Sequence, residues 1–373
     1  MSRPVLPRVA WRRRAFIGAL ILLIEFAALE AALRFFSGNE AAPAFQSLFM
    51  DDPGEGYRLK PNARATYTTE EFSTALAINA QGVRDDEPIG PKAPNERRVV
   101  VLGDSLVLSV QVPFAETFCH DLETRLNAVP NQRERWRVIN AGVQGYGPVE
   151  QWLFYEHIAA AFEPDVVLVV TFVGNAAAMA GRGPWIDADG RPPGKVDAAV
   201  DRIRRITRRS MVWQQARLRY DQLRARVNGP GIEPGLVSYL AVPPPQVAAG
   251  LEVSKRAIGL IVSHASKAGA RTGIVLMPAR FQTDDADFAL HAGVVAARGG
   301  TLVRDGANVR YRDTLAPLGV PMFDLLPVLE AQPDRKGLFF QRNVHLTTRG
   351  HQVVADALFQ FLESSGLSKL PPR

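Results

Sequence analysis

A serine hydroxyl attacks an ester only after a base has taken its proton. Ser105 is placed for that role, at the end of the stretch Arg97-Arg98-Val99-Val100-Val101-Leu102-Gly103-Asp104-Ser105. The apolar, mostly β-branched run stops at Gly-Asp-Ser, which predicts a buried parallel strand followed by a turn. The C-terminal edge of such a strand is where open α/β sheets hold their ligands. The base is most often a histidine, and the chain has six. His120, His157 and His264 fall within predicted helices. His291 has no supporting pattern, and His351 sits inside the first turn of the last helix, where it caps or packs. His345 lies in a loop between the fifth predicted strand and that helix, at the same sheet edge as Ser105. Position therefore selects His345.

Acyl transfer also needs donors for the negative charge that develops on the carbonyl oxygen. Gly142, just past the second predicted strand, can offer a backbone N–H at close approach. Asn175, just past the third, can offer its side-chain amide. Either residue taken singly also fits an ordinary turn; it is their order along the chain, with Ser105 and His345, that is specific.

The elements that must position these groups follow from periodicity. Strands are predicted over 98–102, 136–140, 166–172, 272–277 and 322–325. Helices are predicted over about 116–127, 149–161, 251–267 and 347–362. Strands alternating with helices imply a parallel sheet covered on both faces. An insertion at about 180–245 interrupts this pattern between the third and fourth strands. Its segment 200–227 is predicted to be helical and holds nine arginines. A charge run of this kind is first of all a solvated helix, with anionic lipid or an acidic polymer as the other readings.

Before the sheet, residues 1–14 form a basic tail with five arginines and no acid, and 15–36 are largely apolar. The whole segment is long enough for an anchor of about 20 residues, while its first part also suits a cleaved signal peptide. The anchor is the preferred reading, because a proline spoils the cleavage site at Ala42-Pro43-Ala44. In either case the chain after the arginines lies outside the cytoplasmic membrane. Residues 37–96, rich in proline, glycine and polar side chains, read as a linker or leader with extended segments at 63–67 and 74–78, and Gly82-Val83-Arg84-Asp85 as a turn packed near the start of the main domain. The domain proper spans 97–373. The single cysteine, Cys119, excludes an intrachain disulfide, and Lys+Arg exceed Asp+Glu by 44 − 38 = 6. No nucleic-acid motif accompanies that charge, so no nucleic-acid partner is expected.

The set of motifs resembles the SGNH (GDSL-type) hydrolase superfamily, in its membrane-anchored bacterial form. The resemblance rests on Ser105 in Gly103-Asp104-Ser105-Leu106, Gly142 in Asn140-Ala141-Gly142, Asn175 in Val173-Gly174-Asn175, and His345 in His345-Leu346-Thr347. It covers about 97–362. Tyr57 and the stretch Asn79-Ala80-Gln81-Gly82-Val83-Arg84-Asp85 also resemble the leader of anchored members. The resemblance implies a flavodoxin-like three-layer α/β/α fold with a mainly parallel five-stranded sheet. It also implies ester hydrolysis or acyl transfer with no metal or other cofactor, and an oxyanion hole made by Ser105, Gly142 and Asn175. Anchored members often act on cell-envelope carbohydrate, so the implied substrate is an acyl ester, with polysaccharide as a candidate. In one respect the chain departs from the pattern. The usual aspartate two or three residues before the histidine is replaced, with Arg342 and Asn343 at those positions. Asn343 can orient His345 but supplies no charge. Three readings follow: an esterase, an O-acyltransferase acting on a polysaccharide, and a binding protein that has lost catalysis.

Overall fold

A computed structural model of the chain describes residues 16–18, 20–21, 24–32, 41–52, 56–130, 133–187, 210, 212–213, 216, 232 and 235–370. The chain divides into two units. One comprises Met1–Glu40 with Lys195–Gly231, the other Ala41–Gly194 with Ile232–Arg373.

The first unit is described at few positions. Within it, Glu30 accepts hydrogen bonds from Ser210 Oγ at 2.9 Å and from the Val212 N–H at 3.0 Å. The basic tail, much of the apolar segment 15–36 including Arg34, and the nine arginines of 200–227 lie outside the described residues. Among the described residues no helix is long and apolar enough to cross a membrane.

The second unit contains the sheet. Strands β5 (Glu96–Gly103), β6 (Arg135–Gly142), β7 (Val166–Phe172), β8 (Arg271–Met277) and β9 (Met322–Asp324) pair in the order β6-β5-β7-β8-β9, and every pairing is parallel. This is the doubly wound 2-1-3-4-5 order. Successive side chains of a strand point to opposite faces. Val100 and Leu102 of β5 therefore join Val167 and Val169 of β7 in one apolar cluster, while Val99 and Val101 join Val166, Leu168 and Val170 in another. Helices α4 (Pro148–His157), α6 (Pro245–Lys267) and α9 (Gly306–Leu315) cover the first face. Helices α3 (Phe118–Asn127) and α11 (Thr348–Ser364) cover the second. The result is a three-layer α/β/α arrangement. The five predicted strands are all present within one or two residues. The helices of 280–315, among them α7 (Arg280–Thr283) and α8 (Asp285–Ala296), are additions that the sequence pattern did not indicate.

From residue 41 the leader is folded rather than a tether, and the extended segments expected at 63–67 and 74–78 are strands within one residue of those bounds. A short helix α1 (Ala41–Gln46) leads into two antiparallel hairpins, β1 (Phe49–Asp52) with β2 (Gly56–Leu59), and β3 (Arg64–Thr68) with β4 (Ser73–Ala77). Leu59, Leu76, Ile78 and Val83 are buried in the same apolar cluster as one face of the sheet. Burial alternates along β3 and β4, so these hairpins pack one face rather than forming a tether.

Candidate active site

Open doubly wound sheets bind ligands in the crevice beyond the strand ends where the order reverses. Here the reversal lies between β5 and β7. Ser105 follows β5 and Asn175 follows β7.

Ser105 opens a single helical turn, α2 (Ser105–Leu108). Asp104 caps it, its Oδ1 accepting from the Leu106 N–H at 2.9 Å. The first N–H groups of a helix have no intrahelical acceptor, so the Ser105 N–H is available to an anion. Ser105 Oγ makes no hydrogen bond among the described residues. Ser109 closes the turn in the left-handed region at φ 56°. That turn is held by three buried side chains. Asn140 Nδ2 donates to Val107 O at 2.7 Å. Arg84 donates to the carbonyls of Leu108 at 2.7 Å, Val112 at 2.5 Å, and Ser109. Thr74 Oγ1 donates to Gln111 O at 3.0 Å. Arg84 is 1% exposed, and burial draws its pKa down to about 10. Asp104 is buried with no cation beside it, and loss of water pushes its pKa up to about 6.

Gly142 is paired with Gly103 across the β5–β6 ladder. A Cβ on it would lie 2.4 Å from the Leu108 nitrogen, so only glycine allows the Ser105 turn to pack this closely on β6. Its N–H donates to Asn140 Oδ1 at 3.1 Å. The geometry thus gives Gly142 a packing role and commits the N–H that the sequence reading assigned to the oxyanion. Asn175 is half-buried at the end of β7, and its amide makes no hydrogen bond among the described residues.

His345 lies on a loop closed by the Phe339–Leu346 bridge and the Phe340 N–H to His345 O bond at 3.0 Å. The His345 backbone N–H donates to Asn343 Oδ1 at 3.2 Å, and the same oxygen is hydrogen-bonded to His345 Nδ1. A backbone N–H can only donate, so the shared atom is an acceptor and Nδ1 carries the proton. Nε2 is then the basic nitrogen. It is buried and has no hydrogen-bond partner among the described residues. Burial pulls the His345 pKa down to about 4, so the ring is neutral at pH 7. Arg342 is ion-paired with Glu70, and its N–H donates to Glu71 Oε1 at 2.9 Å.

Ser105 and His345 line one cavity of about 260 Å³. Its other walls come from Phe172, from Gly235, Leu236 and Tyr239, and from Pro278 to Phe281 with His291. Asn175 and Gly142 are not among the lining residues, although Gly174 lies under the Phe172 ring. His291, which had no supporting pattern in the sequence, stacks on Phe281 with centroids 4.8 Å apart, and its Nδ1 is hydrogen-bonded to Asp287 O at 2.7 Å. His351 is fully buried, its Nδ1 accepting from the Phe118 N–H at 3.2 Å, which is a structural role. Among the described residues no group of histidine, cysteine and acidic side chains could hold a metal ion.

No family model matches the chain, and no curated protein matches it. Several solved structures are similar in arrangement. A lipase/acylhydrolase from Enterococcus faecalis shares 11% identity over 74% of this chain and 98% of its own, with a TM-score of 0.41. LAE5, described as an alpha/beta hydrolase enzyme from the metagenome of Lake Arreo, Spain, shares 14% over 73% and 95%, with a TM-score of 0.41. A catalytic mutant of an acetylxylan esterase from Geobacillus stearothermophilus shares 12% over 73% and 96%, with a TM-score of 0.40. The chemistry of those proteins is their own.

Proposed function

We propose that this chain is a serine ester hydrolase. The observation that carries the reading is that Ser105 and a neutral His345 line one cavity, with Asn343 fixing the His345 tautomer so that Nε2 is the basic nitrogen. Apo geometry often leaves the nucleophile and base further apart than in the substrate complex. In the forward step the Ser105 Oγ–H proton passes to Nε2 while Oγ bonds to the ester carbonyl carbon. The carbonyl oxygen becomes an oxyanion, met by the Ser105 N–H and the Asn175 amide. The tetrahedral intermediate then collapses, the bond to the alcohol oxygen breaks, and Nε2 returns its proton to that oxygen. Water attacks the acyl-enzyme by the same route, releasing the acid and restoring Ser105.

Asn343 supplies the orientation that an aspartate would, without the charge, so the His345 imidazolium formed in transit gains no anion from it. Such a site is slower than one with a carboxylate but keeps the nucleophile, base and oxyanion donors. Carbohydrate acyl esters outside the cytoplasm remain the substrate class that the resemblance suggests. Transfer to a sugar hydroxyl in place of water would use the same acyl-enzyme.

A fluorophosphonate probe tests the chemistry. It should label the wild type and leave Ser105→Ala unlabelled. Asn175→Ala should still be labelled, with kcat on a chromogenic ester lowered by roughly 10²–10³-fold. Equal labelling of wild type and Ser105→Ala would end the esterase reading. We further propose that 15–36 anchors the chain with 1–14 in the cytoplasm, motivated by the five arginines of the tail. Alkaline phosphatase fused after Arg373 should be active in that case, and an inactive fusion would reject the topology.

A further inference from the structure

We infer that the cavity shared by Ser105 and His345 is an acyl pocket that favours a medium-length apolar chain over acetyl, with Phe281 and Leu236 setting the accepted length. This rests on the ester-hydrolase reading above and goes further by naming the acyl class.

The first ground is what the lining offers. Leu106, Phe172, Leu236, Tyr239, Phe281 and Val344 present hydrocarbon to the cavity. Apart from the reacting Ser105 and His345, most of its polar groups are already engaged. Asp104 accepts from the Leu106 N–H. Arg280 is ion-paired with Asp287 at 3.0 Å and donates to Phe340 O at 3.2 Å. The His291 Nδ1 is bonded to Asp287 O. The Tyr239 hydroxyl is the exception, buried with no hydrogen-bond partner among the described residues. A sugar ring brings several hydroxyls that each need a partner once water is removed, and this lining has few to give. An alkyl chain needs none.

The second ground is which part of the ester must occupy the cavity. The acyl carbon stays bonded to Ser105 Oγ from the first attack until water releases it, whereas the alcohol leaves after the first step. The part that remains attached to a cavity-lining atom is the one the cavity has to hold.

The third ground is size and rigidity. A cavity of about 260 Å³ is somewhat below the range of about 300–1,000 Å³ typical of drug-sized ligands. It offers room for a chain longer than acetyl and shorter than a membrane-lipid acyl group. Phe281 is fixed between the Tyr239 ring, edge to face at 4.8 Å, and the His291 ring, stacked at 4.8 Å. It makes a stiff wall, so the limit on length should be sharp.

The experiment uses the full chain and p-nitrophenyl esters from acetate to palmitate, with kcat/KM as the readout. Each buried methylene should raise kcat/KM by roughly fourfold until the pocket is full. The optimum should therefore fall between butanoate and octanoate, with a steep decline beyond. Leu236→Trp should lower the octanoate-to-acetate ratio by roughly tenfold or more. Phe281→Ala should move the optimum toward longer chains. If Phe281→Ala fails to fold, Leu236→Trp carries the test alone. A second series with acetyl fixed and the alcohol lengthened should give a flat response. Acetate preferred over every longer ester, or a ratio unmoved by Leu236→Trp, would overturn the acyl-pocket assignment while Ser105-dependent hydrolysis left the esterase reading intact. A steep dependence on the alcohol alone would overturn it too. Absence of any Ser105-dependent turnover across the series would remove both.

Discussion

The two sides of the site are held in opposite ways. The Ser105 turn is fixed from within, by Asn140, Arg84 and Thr74, all buried, each donating to a main-chain carbonyl of the turn or of the segment just after it. The His345 loop is fixed from without. Val344 is 61% exposed, and the Arg342 side chain and its partner Glu70 are both more than 70% exposed. The loop is held by the Glu71 carboxylate, by Arg280 on the carbonyls of Phe340 and Gln341, and by the Phe72 ring 5.4 Å from that of Phe340. Buried hydrogen bonds to a charged group are costly to break, and exposed ones much less so. The nucleophile is thus set by buried contacts of the fold, while the base sits on a segment held largely by contacts at the surface. Residues 41–96 serve both sides, Arg84 reaching the first and Glu70, Glu71 and Phe72 the second.

The sharpest way to break this contrast is Arg84→Ala. It removes the donor from three buried carbonyls and should cost roughly 3–5 kcal/mol of stability, read as a lower urea midpoint. Arg84→Lys keeps the charge but not the forked geometry, and should fall between the two. A midpoint unchanged in Arg84→Ala would mean that the turn does not depend on the leader.

Asn343→Asp probes the other side. The carboxylate would stabilise the His345 imidazolium and should raise kcat/KM on a good ester by roughly tenfold. The pH profile gives an independent reading. His345 must be neutral to accept the Ser105 proton, and its pKa is held down to about 4. Wild-type kcat/KM should therefore stay level as the pH falls from neutrality, dropping only as it passes about 4. In Asn343→Asp the nearby anion favours the protonated ring, so the acid limb should move to higher pH. An unmoved limb would show that residue 343 does not reach the ring in solution. Arg342 is already occupied by Glu70, which leaves an introduced carboxylate at 343 to His345.

The smallest effect belongs to Glu71→Ala, which removes the acceptor of the Arg342 N–H at the surface. A lone exposed hydrogen bond of this kind should change kcat by about fivefold or less, with the urea midpoint unmoved. A loss as large as that of Arg84→Ala would erase the distinction between the two sides.

The sheet was readable because β7 and its neighbours are continuous apolar runs bounded by turn residues, a local signal. Position at the strand ends pointed to Ser105 and His345, which line one cavity, while Asn343 was pointed to only by the resemblance. Other parts depend on contacts between distant segments. Arg84 belongs to the turn at 82–85 that the sequence already set against the start of the main domain, but no neighbour in sequence announces that its guanidinium ends on the carbonyls of Leu108 and Val112. The cavity walls at 235–239 and 278–281, distant in sequence, meet through the Tyr239 and Phe281 rings and through Ser238 Oγ donating to Gly174 O. Gly142 looked like a donor because its partner Asn140, two residues away, looked like part of the same motif rather than the group that takes its N–H.

The path of Arg84 into the sheet unit bears on where this polypeptide can be divided. A chain started at Arg97 would keep every strand of the parallel sheet together with Ser105, Asn175, Asn343 and His345. It would nonetheless lack the guanidinium that caps three inward-facing carbonyls and the apolar side chains of Leu59, Leu76, Ile78 and Val83 that close one face of the core. A start near Ala41 keeps those contacts, and the hairpins that look dispensable beside the sheet are the seam along which the molecule should not be cut.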